Sequence, residues 1–358
     1  MSKQAKIKQR LEQKLKLEQP EEDKPDPTFD EILASATNRV KHFLLAKNNY
    51  RPSHLNLNDA CMALLDICLY GRNSIILKAE DKLMYLLDNY PGLDRALKQS
   101  AFLGAVKHAG TRSTPGIVKI LLTNPNAKIN VNYIHHNEGN FTALMYACLY
   151  SHDISCDECV QLLLDHGADV NLGNDKATPL IIAASESGSS SGISTVKLLL
   201  NCKANIHKRN KDEETAFLSA CSFYGSRSNI ETIELLLQKG ADVNVRSQGR
   251  TALMIACGMG EGHADDALVK LLLKYNADVN LQNRNGSTPL MIALGMADHC
   301  VEQTGKKCEY IVSKLLLKQP GINLELVNKK GLNAYDIATD KSLFDEHGYG
   351  KSAMLEVD

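Results

Sequence analysis

A motif of seven small and hydrophobic residues, which we call the repeat phrase, recurs along the chain. Five strong copies begin with threonine, and three weaker copies begin at Met62, Ser100 and Asn333. The starts lie 36 to 45 residues apart, so eight units cover positions 62 to 358. A period of this size predicts a repeat architecture rather than separate closed domains. The five strong copies are TALMYAC from Thr142, TPLIIAA from Thr178, TAFLSAC from Thr215, TALMIAC from Thr251 and TPLMIAL from Thr288.

Within each unit the pattern predicts two helices and a hairpin. Threonine followed by proline, as at Thr178, is typical of an N-cap and the first helical position. A later apolar cluster such as VKLLL indicates the buried side of a second helix. Turn-rich stretches such as GADVNVRSQGR then predict a protruding hairpin. Three residues after the clusters stand Gly167, Lys203, Gly240 and Asn276. Gly and Asn tolerate the left-handed backbone that closes a helix, whereas Lys203 is expected to be strained there.

These residues resemble the ankyrin repeat family, in the TPL and TAL starts, the LLL helix end, GADVN and the closing Asn285-Gly286-Ser287-Thr288. The resemblance is strong from about 142 to 290, fair to 350 and weak from 62 to 141. It implies an all-α fold, an α-solenoid of helix-turn-helix plus hairpin units with helical caps. The family's histidine after the opening dipeptide is replaced, so we expect packing there instead of a polar link. The replacing residues are Met145, Ile181, Leu218, Met254 and Met291.

The segment between the two helices is about four residues, or roughly one helical turn, longer than the family's unit allows. The span from the opening residue to the last Leu is 23 residues in five of the units, whereas the inserted segments differ in composition. They are LYSHDISCDEC, SESGSSSGIS, SFYGSRSNIE and GMGEGHADDA. Two interpretations stay open: a recognition loop of variable chemistry, or a longer connection copied by internal duplication.

The ends of the chain differ from the repeats. Residues 1–27 read as a polar tail and linker, because proline and acidic residues crowd positions 20–27. Thr28 and Glu31 form a capping-box pattern ahead of an amphipathic helix, so 28–61 is expected to be an N-terminal helical cap. The array is assigned to 62–332, and 333–358 to a C-terminal capping repeat.

Composition narrows the functional classes. The chain has 41 Lys and Arg against 42 Asp and Glu, so no overall field recruits nucleic acid. No apolar run reaches the ~20 residues of a membrane helix, and the N-terminus lacks the apolar middle of a signal peptide. Ten cysteines diluted over 358 residues favour reduced thiols. We expect a cytoplasmic monomer with no membrane span. No phosphate loop or catalytic motif is evident, so we expect neither enzymatic activity nor a cofactor.

A cysteine and histidine cluster is the main candidate for other chemistry. Cys148, His152, Cys156 and Cys159 have a spacing that could supply four zinc ligands. However, Cys148 occupies the position that Ala184 holds in another unit, which predicts a small buried residue. We therefore assign no metal residues and keep a metal- or thiol-dependent activity between Cys148 and Cys159 as an alternative. The same position is held by Cys68, Cys221 and Cys257.

The resemblance implies that a protein partner binds the concave face formed by the hairpins and first helices. Aromatic and methionine residues follow the repeat phrases and are candidate anchors, although they could instead pack on neighbouring units. Basic residues at the hairpin tips are candidate steering charges for an acidic segment, although a solvated edge is the alternative. The candidate anchors are Tyr70, Tyr150, Phe223, Tyr224, Met259 and Met296, and the candidate charges are Lys208, Arg209, Arg246, Arg250 and Arg284.

The functional prediction is thus a non-enzymatic scaffold that binds a protein partner. One alternative is a bacterial effector injected into a host cell without a Sec signal, since long insertions and Lys/Asn-rich usage resemble such proteins. Asn171, Asn244 and Asn280 end a pattern that resembles an asparaginyl-hydroxylase target, and stabilisation of the hairpin turn is the simpler explanation.

Overall fold

The computed structural model describes residues 38–45, 55–70, 76, 78–109, 113–136, 139–150, 154–188, 192–258, 266–295 and 310–349. The chain forms two compact units, Met1–Lys176 and Ala177–Asp358. Within the described ranges the regular elements are helices, joined by turns and a few isolated bridges. This confirms the predicted all-α class. None of the described helices has both the length and the apolar run needed to cross a membrane.

In the first unit the helices alternate between the first and second helix of successive repeats. First helices α2, α4 and α6 pack in sequence, as do second helices α3, α5 and α7, and α1 packs on α2. The helices are α1 (Asn38–Leu45), α2 (Leu57–Tyr70), α3 (Ala79–Asn89), α4 (Arg95–Lys107), α5 (Pro115–Thr123), α6 (Ala143–Leu149) and α7 (Ile154–Asp165).

The second unit repeats this arrangement. First helices α8, α10 and α12 pack in sequence, and second helices α9, α11, α13 and α15 form the other layer. The helices are α8 (Pro179–Ser185), α9 (Gly192–Asn201), α10 (Ala216–Ser222), α11 (Ile230–Gln238), α12 (Ala252–Cys257), α13 (Asp266–Lys274), α14 (289–295 of the described residues), α15 (Ile311–Leu317), α16 (Ala334–Ile337) and α17 (Ser342–Asp345).

The threonine that opens each strong phrase caps its helix, as the sequence predicts. In every case its Oγ1 accepts a hydrogen bond from the backbone N–H three residues later, at 3.2 to 3.4 Å. Such a cap is worth about 1 kcal/mol. The apolar residues that replace the family's histidine are all buried, with at most 4 % of their surface exposed. At this position packing of a buried side chain therefore replaces the polar link of the family's histidine.

The predicted left-handed helix ends are also present. The φ angles are +84° at Gly167, +92° at Gly240 and +59° at Asn276. Lys203 adopts the same conformation, with φ of +64°, and its N–H donates to the Leu200 carbonyl at 3.1 Å. The geometry that closes the helix is thus kept at Lys203 despite the strain that a side chain brings there.

The first two repeats start earlier than the phrase positions Met62 and Ser100 suggest. Helix α2 begins at Leu57, and the Asn56 side chain accepts a hydrogen bond from the Asp59 N–H at 2.8 Å. Asp94 caps α4 by accepting from the Leu97 N–H at 3.1 Å. These upstream side chains, rather than the repeat phrase, set the helix starts. The predicted capping box of Thr28 and Glu31, and residues 1–27, lie outside the described residues.

Candidate functional site

The hairpins of the second unit are held by their own asparagine side chains. Asn210 Oδ1 accepts hydrogen bonds from the backbone N–H of Asp212 and Glu214, at 3.0 and 2.9 Å. In the next hairpin, Ser247 and Arg250 exchange backbone hydrogen bonds at 3.0 and 2.9 Å across two residues with positive φ. This is the tight turn that a two-residue hairpin favours. The tips are therefore defined positions from which basic side chains can extend.

Three arginines connect these hairpins to one another. The Arg209 Nη1 atom donates to the Arg246 carbonyl at 3.0 Å, and Arg246 Nη1 donates to the Gln282 carbonyl at 3.4 Å. The stem of Arg284 lies over Gly249, where an added Cβ would come within 2.6 Å of its Cγ. We call Arg209, Arg246 and Arg284 the arginine edge.

The arginine edge carries uncompensated positive charge. All three side chains are exposed, and no carboxylate among the described residues forms an ion pair with any of them. A guanidinium has five N–H donors, so one hydrogen bond to a carbonyl leaves donors for a carboxylate. Of the other predicted charges, Lys208 is exposed beside Arg209, whereas Arg250 is half-buried at the base of its turn.

The predicted aromatic anchors occupy different environments. Tyr70 and Tyr224 are half-buried. Tyr150 is also half-buried and stacks on Tyr146, with an interplanar angle of 3° and centroids 6.2 Å apart. Phe223 is only 7 % exposed, and the Arg227 guanidinium lies 4.0 Å above its ring. Phe223 therefore packs within the second unit and offers a partner little surface. Met259 and Met296 lie outside the described residues.

Two of the lengthened inter-helix segments bind each other. The Gly188 N–H donates to the Arg227 carbonyl at 2.6 Å, and Asn229 Nδ2 donates to the Ser187 carbonyl at 2.6 Å. Arg227 also forms an ion pair with Glu186, at 2.7 Å. In this pair of repeats, both in the second unit, the inserted segments link one repeat to the next. Sequence reasoning missed the link, because its contacts join residues about forty positions apart.

Hairpin asparagines also connect neighbouring repeats. Asn280 Nδ2 donates to the Gly321 carbonyl and its Oδ1 accepts from the Asn323 N–H, both at 2.8 Å. Asn244 Oδ1 accepts from the Asp278 N–H at 2.9 Å. The side chains of Asn244 and Asn280, whose sequence pattern predicts stabilisation of their own turn, thus bond to the hairpin of the next repeat. Asn171 lies in the equivalent position of the first unit.

The cysteines at the repeat position are structural. Cys68, Cys148, Cys221 and Cys257 are at most 3 % exposed, and burial raises the pKa of each thiol. A raised pKa disfavours the thiolate that a reactive or metal-binding cysteine needs. Cys159 is fully buried as well, while His152 and the side chain of Cys156 lie outside the described residues. Among the residues described, no three potential metal-ligating side chains come together.

Comparison with known proteins gives a consistent picture. A model of ankyrin repeats, three copies long, matches residues 102–191, 188–265 and 223–303. Among solved structures, the ankyrin repeat domain of Bcl-3, a unique member of the IkappaB protein family, is similar with a TM-score of 0.53. The two share 22 % sequence identity over 68 % of this chain and 97 % of that one, which is evidence for the fold. No curated protein matches the chain.

Proposed function

Because the chain belongs to the ankyrin repeat family, we propose that it is a non-enzymatic scaffold whose arginine edge binds an acidic segment of a protein partner. Ankyrin repeats indicate a protein-protein interaction module, so a protein is the expected class of partner. The acidic character of the segment is inferred from the charge of the edge.

The row of arginines across adjacent hairpins is the observation that carries this proposal. Each of these three hairpins presents one exposed guanidinium, and hydrogen bonds to neighbouring carbonyls restrict Arg209 and Arg246 before any partner arrives. Less side-chain entropy is therefore lost on association than with free arginines. An extended segment with acidic side chains along its length would match such a row.

The exposure of each predicted aromatic anchor decides whether it is part of the proposed contact surface. Tyr70, Tyr150 and Tyr224 keep part of their surface exposed and are proposed as flanking contacts. Met259 and Met296 stay predictions. Phe223 is left out of the proposed contact surface, because Arg227 covers its ring and the side chain is buried.

A direct test uses a fluorescein-labelled fourteen-residue peptide of alternating Glu and Ser, with the Gln/Ser peptide as its neutral counterpart. Fluorescence anisotropy measures binding to the full chain at several salt concentrations. We expect the acidic peptide to bind more tightly than the neutral one and to weaken with salt. The variant Arg209→Glu/Arg246→Glu/Arg284→Glu should lose at least about tenfold in affinity.

The matched control reverses three exposed lysines on the second-helix side of the same unit. Lys197→Glu/Lys239→Glu/Lys318→Glu changes the net charge equally but leaves the arginine edge intact. Its affinity should stay within about twofold of that of the unmodified protein, since these lysines are not part of the arginine edge and salt screens the interaction of exposed charges. Equal losses in both variants would show only a dependence on overall charge and would refute the proposed site.

Two hypotheses from the sequence concern other properties. Delivery as an injected bacterial effector is tested by a translocation assay with residues 339–358 removed, where entry into the host should depend on the removed segment.

The thiol alternative is disfavoured at Cys148, because burial raises the pKa of its thiol. Metal analysis of the purified protein, with Cys156→Ser/Cys159→Ser as comparison, tests whether the segment between Cys148 and Cys159 binds a metal. Metal-free protein, with a stability that the double variant does not change, would refute this alternative.

A further inference from the structure

The first unit contains a cavity of about 1060 Å³ between helix α4 and the hairpin that precedes α6. One wall is formed by α4 with its capping residues Asp94 and His108. The other is formed by the hairpin residues Asn130, Tyr133, His135 and His136. Ligand pockets commonly measure roughly 300 to 1,000 Å³. The cavity is therefore large enough for a few residues of a peptide rather than for one side chain.

The walls of this cavity are fixed to each other. Gln99 on α4 makes two hydrogen bonds with Asn130 of the hairpin, one to its carbonyl and one from its N–H, both at 3.0 Å. Lys98 Nζ donates to the Asn126 carbonyl at 2.8 Å. Further along, the His135 N–H donates to the Phe141 carbonyl at 2.9 Å and closes the hairpin. A ligand would meet a preformed site and lose little free energy in ordering it.

The charge of the lining favours an anion. Arg95 and Lys107 contribute two cations from α4, and His108, His135 and His136 add three imidazole rings to the lining. Asp94 is the single carboxylate among the described lining residues. It already accepts the Leu97 N–H at 3.1 Å as the cap of α4.

Apolar and aromatic surface lies beside these charges. Leu69 and Leu103 line the cavity, and Tyr133 does so with 45 % of its surface exposed. The Tyr133 ring meets the His135 imidazole edge-on, with centroids 4.9 Å apart. The Lys107 ammonium lies 4.7 Å from the centroid of the Tyr146 ring, which places its charge at this end of α4. Anionic and apolar groups of one ligand could thus be bound together.

We propose that this cavity is a second binding site, which takes a short peptide segment with an aromatic or apolar residue between acidic ones. The site is built from residues of the first unit alone and does not depend on the arginine edge. It gives the chain two separate points of attachment, each with its own chemistry.

The test uses the labelled pentapeptide Glu-Phe-Glu-Leu-Glu, with Gln-Phe-Gln-Leu-Gln and Glu-Ser-Glu-Ser-Glu as comparisons, against the full chain. We expect the first peptide to bind more tightly than either comparison. Arg95→Glu/Lys107→Glu should weaken it by about tenfold or more. The control Lys78→Glu/Lys119→Glu reverses two exposed lysines that do not line the cavity, and it should stay within about twofold.

The arginine-edge variant separates this proposal from the proposed function. It should keep the pentapeptide's affinity, whereas the cavity variant should keep that of the long Glu/Ser peptide. If Lys107→Glu prevents folding, as judged by the circular dichroism melting curve, the exposed Arg95→Glu variant carries the test alone. The proposal is overturned if the cavity variants bind the pentapeptide unchanged, if the control loses as much, or if a single-stranded oligonucleotide binds the cavity more tightly than the peptide.

Discussion

A half-buried carboxylate in the first unit should be destabilising at neutral pH. Asp66 lies on helix α2, and its Oδ2 atom is buried with no hydrogen-bond donor among the described residues. Desolvation raises the pKa of this carboxyl group from 3.8 to about 6. We therefore expect Asp66→Asn, which removes the charge and keeps the shape, to stabilise the protein at pH 7.5.

The magnitude follows from the linkage between protonation and folding. Below pH 3.8 the carboxyl group is protonated in both states, so it adds no charge penalty. As pH rises from 3.8 towards 6, Asp66 loses its proton in the unfolded state first, and the stability of the unmodified protein falls. Above pH 6 the full cost of burying the charged carboxylate is present. The raised pKa corresponds to at most about 3 kcal/mol, of which roughly half is already present at pH 5. An amide without partners offsets part of the gain, which leaves about 1 to 2 kcal/mol.

Urea unfolding followed by circular dichroism at pH 5.0 and 7.5 measures both stabilities. The advantage of Asp66→Asn should be larger at pH 7.5 than at pH 5.0. Asp81→Asn is the control, because Asp81 is exposed in the first turn of α3 and its loss should bring a small destabilisation. A variant that is less stable than the parent at both pH values would refute the reasoning, since it would show that the carboxylate has a favourable partner.

Two backbone positions and one link between repeats yield the remaining predictions. Lys203→Gly should stabilise the chain by about 0.5 to 1 kcal/mol, because glycine adopts a positive φ without strain, as a shift in urea midpoint would show. Gly240→Val should destabilise it by about 1 to 2 kcal/mol in the same assay, and an unchanged midpoint would contradict the φ of +92°. Asn229→Ala removes both the cap of α11 and the hydrogen bond to Ser187, so its melting should report a loss of about 2 kcal/mol. Asn229→Asp keeps a capping oxygen but not the donor, and it should lose about half as much; equal losses would mean that the link contributes nothing.

Part of the candidate site could be predicted from the sequence. The turn-rich hairpins and their basic residues predicted a charged edge. Arg209, Arg246 and Arg284 are exposed in the structure, and their role as steering charges stays a prediction. The hydrogen bonds between these hairpins could not be predicted, since they pair a side chain with a carbonyl from another repeat. At Phe223 the sequence suggested exposed surface that the structure does not show. Its position after the repeat phrase suggested an anchor, but Arg227, four residues later, folds over the ring.

Local chemistry was enough for the elements themselves. The threonine caps and the left-handed helix ends depend on neighbours within a few residues, so the sequence by itself determined them. The burial of the small cysteines could be predicted because Ala184 holds the same position in another repeat. The tertiary structure alone decided how the inserted segments pair, where α2 and α4 begin, and that Gln99 and Asn130 enclose a cavity. Each of these depends on contacts between repeats, and a periodic sequence specifies that repeats stack more clearly than it specifies which polar groups then meet.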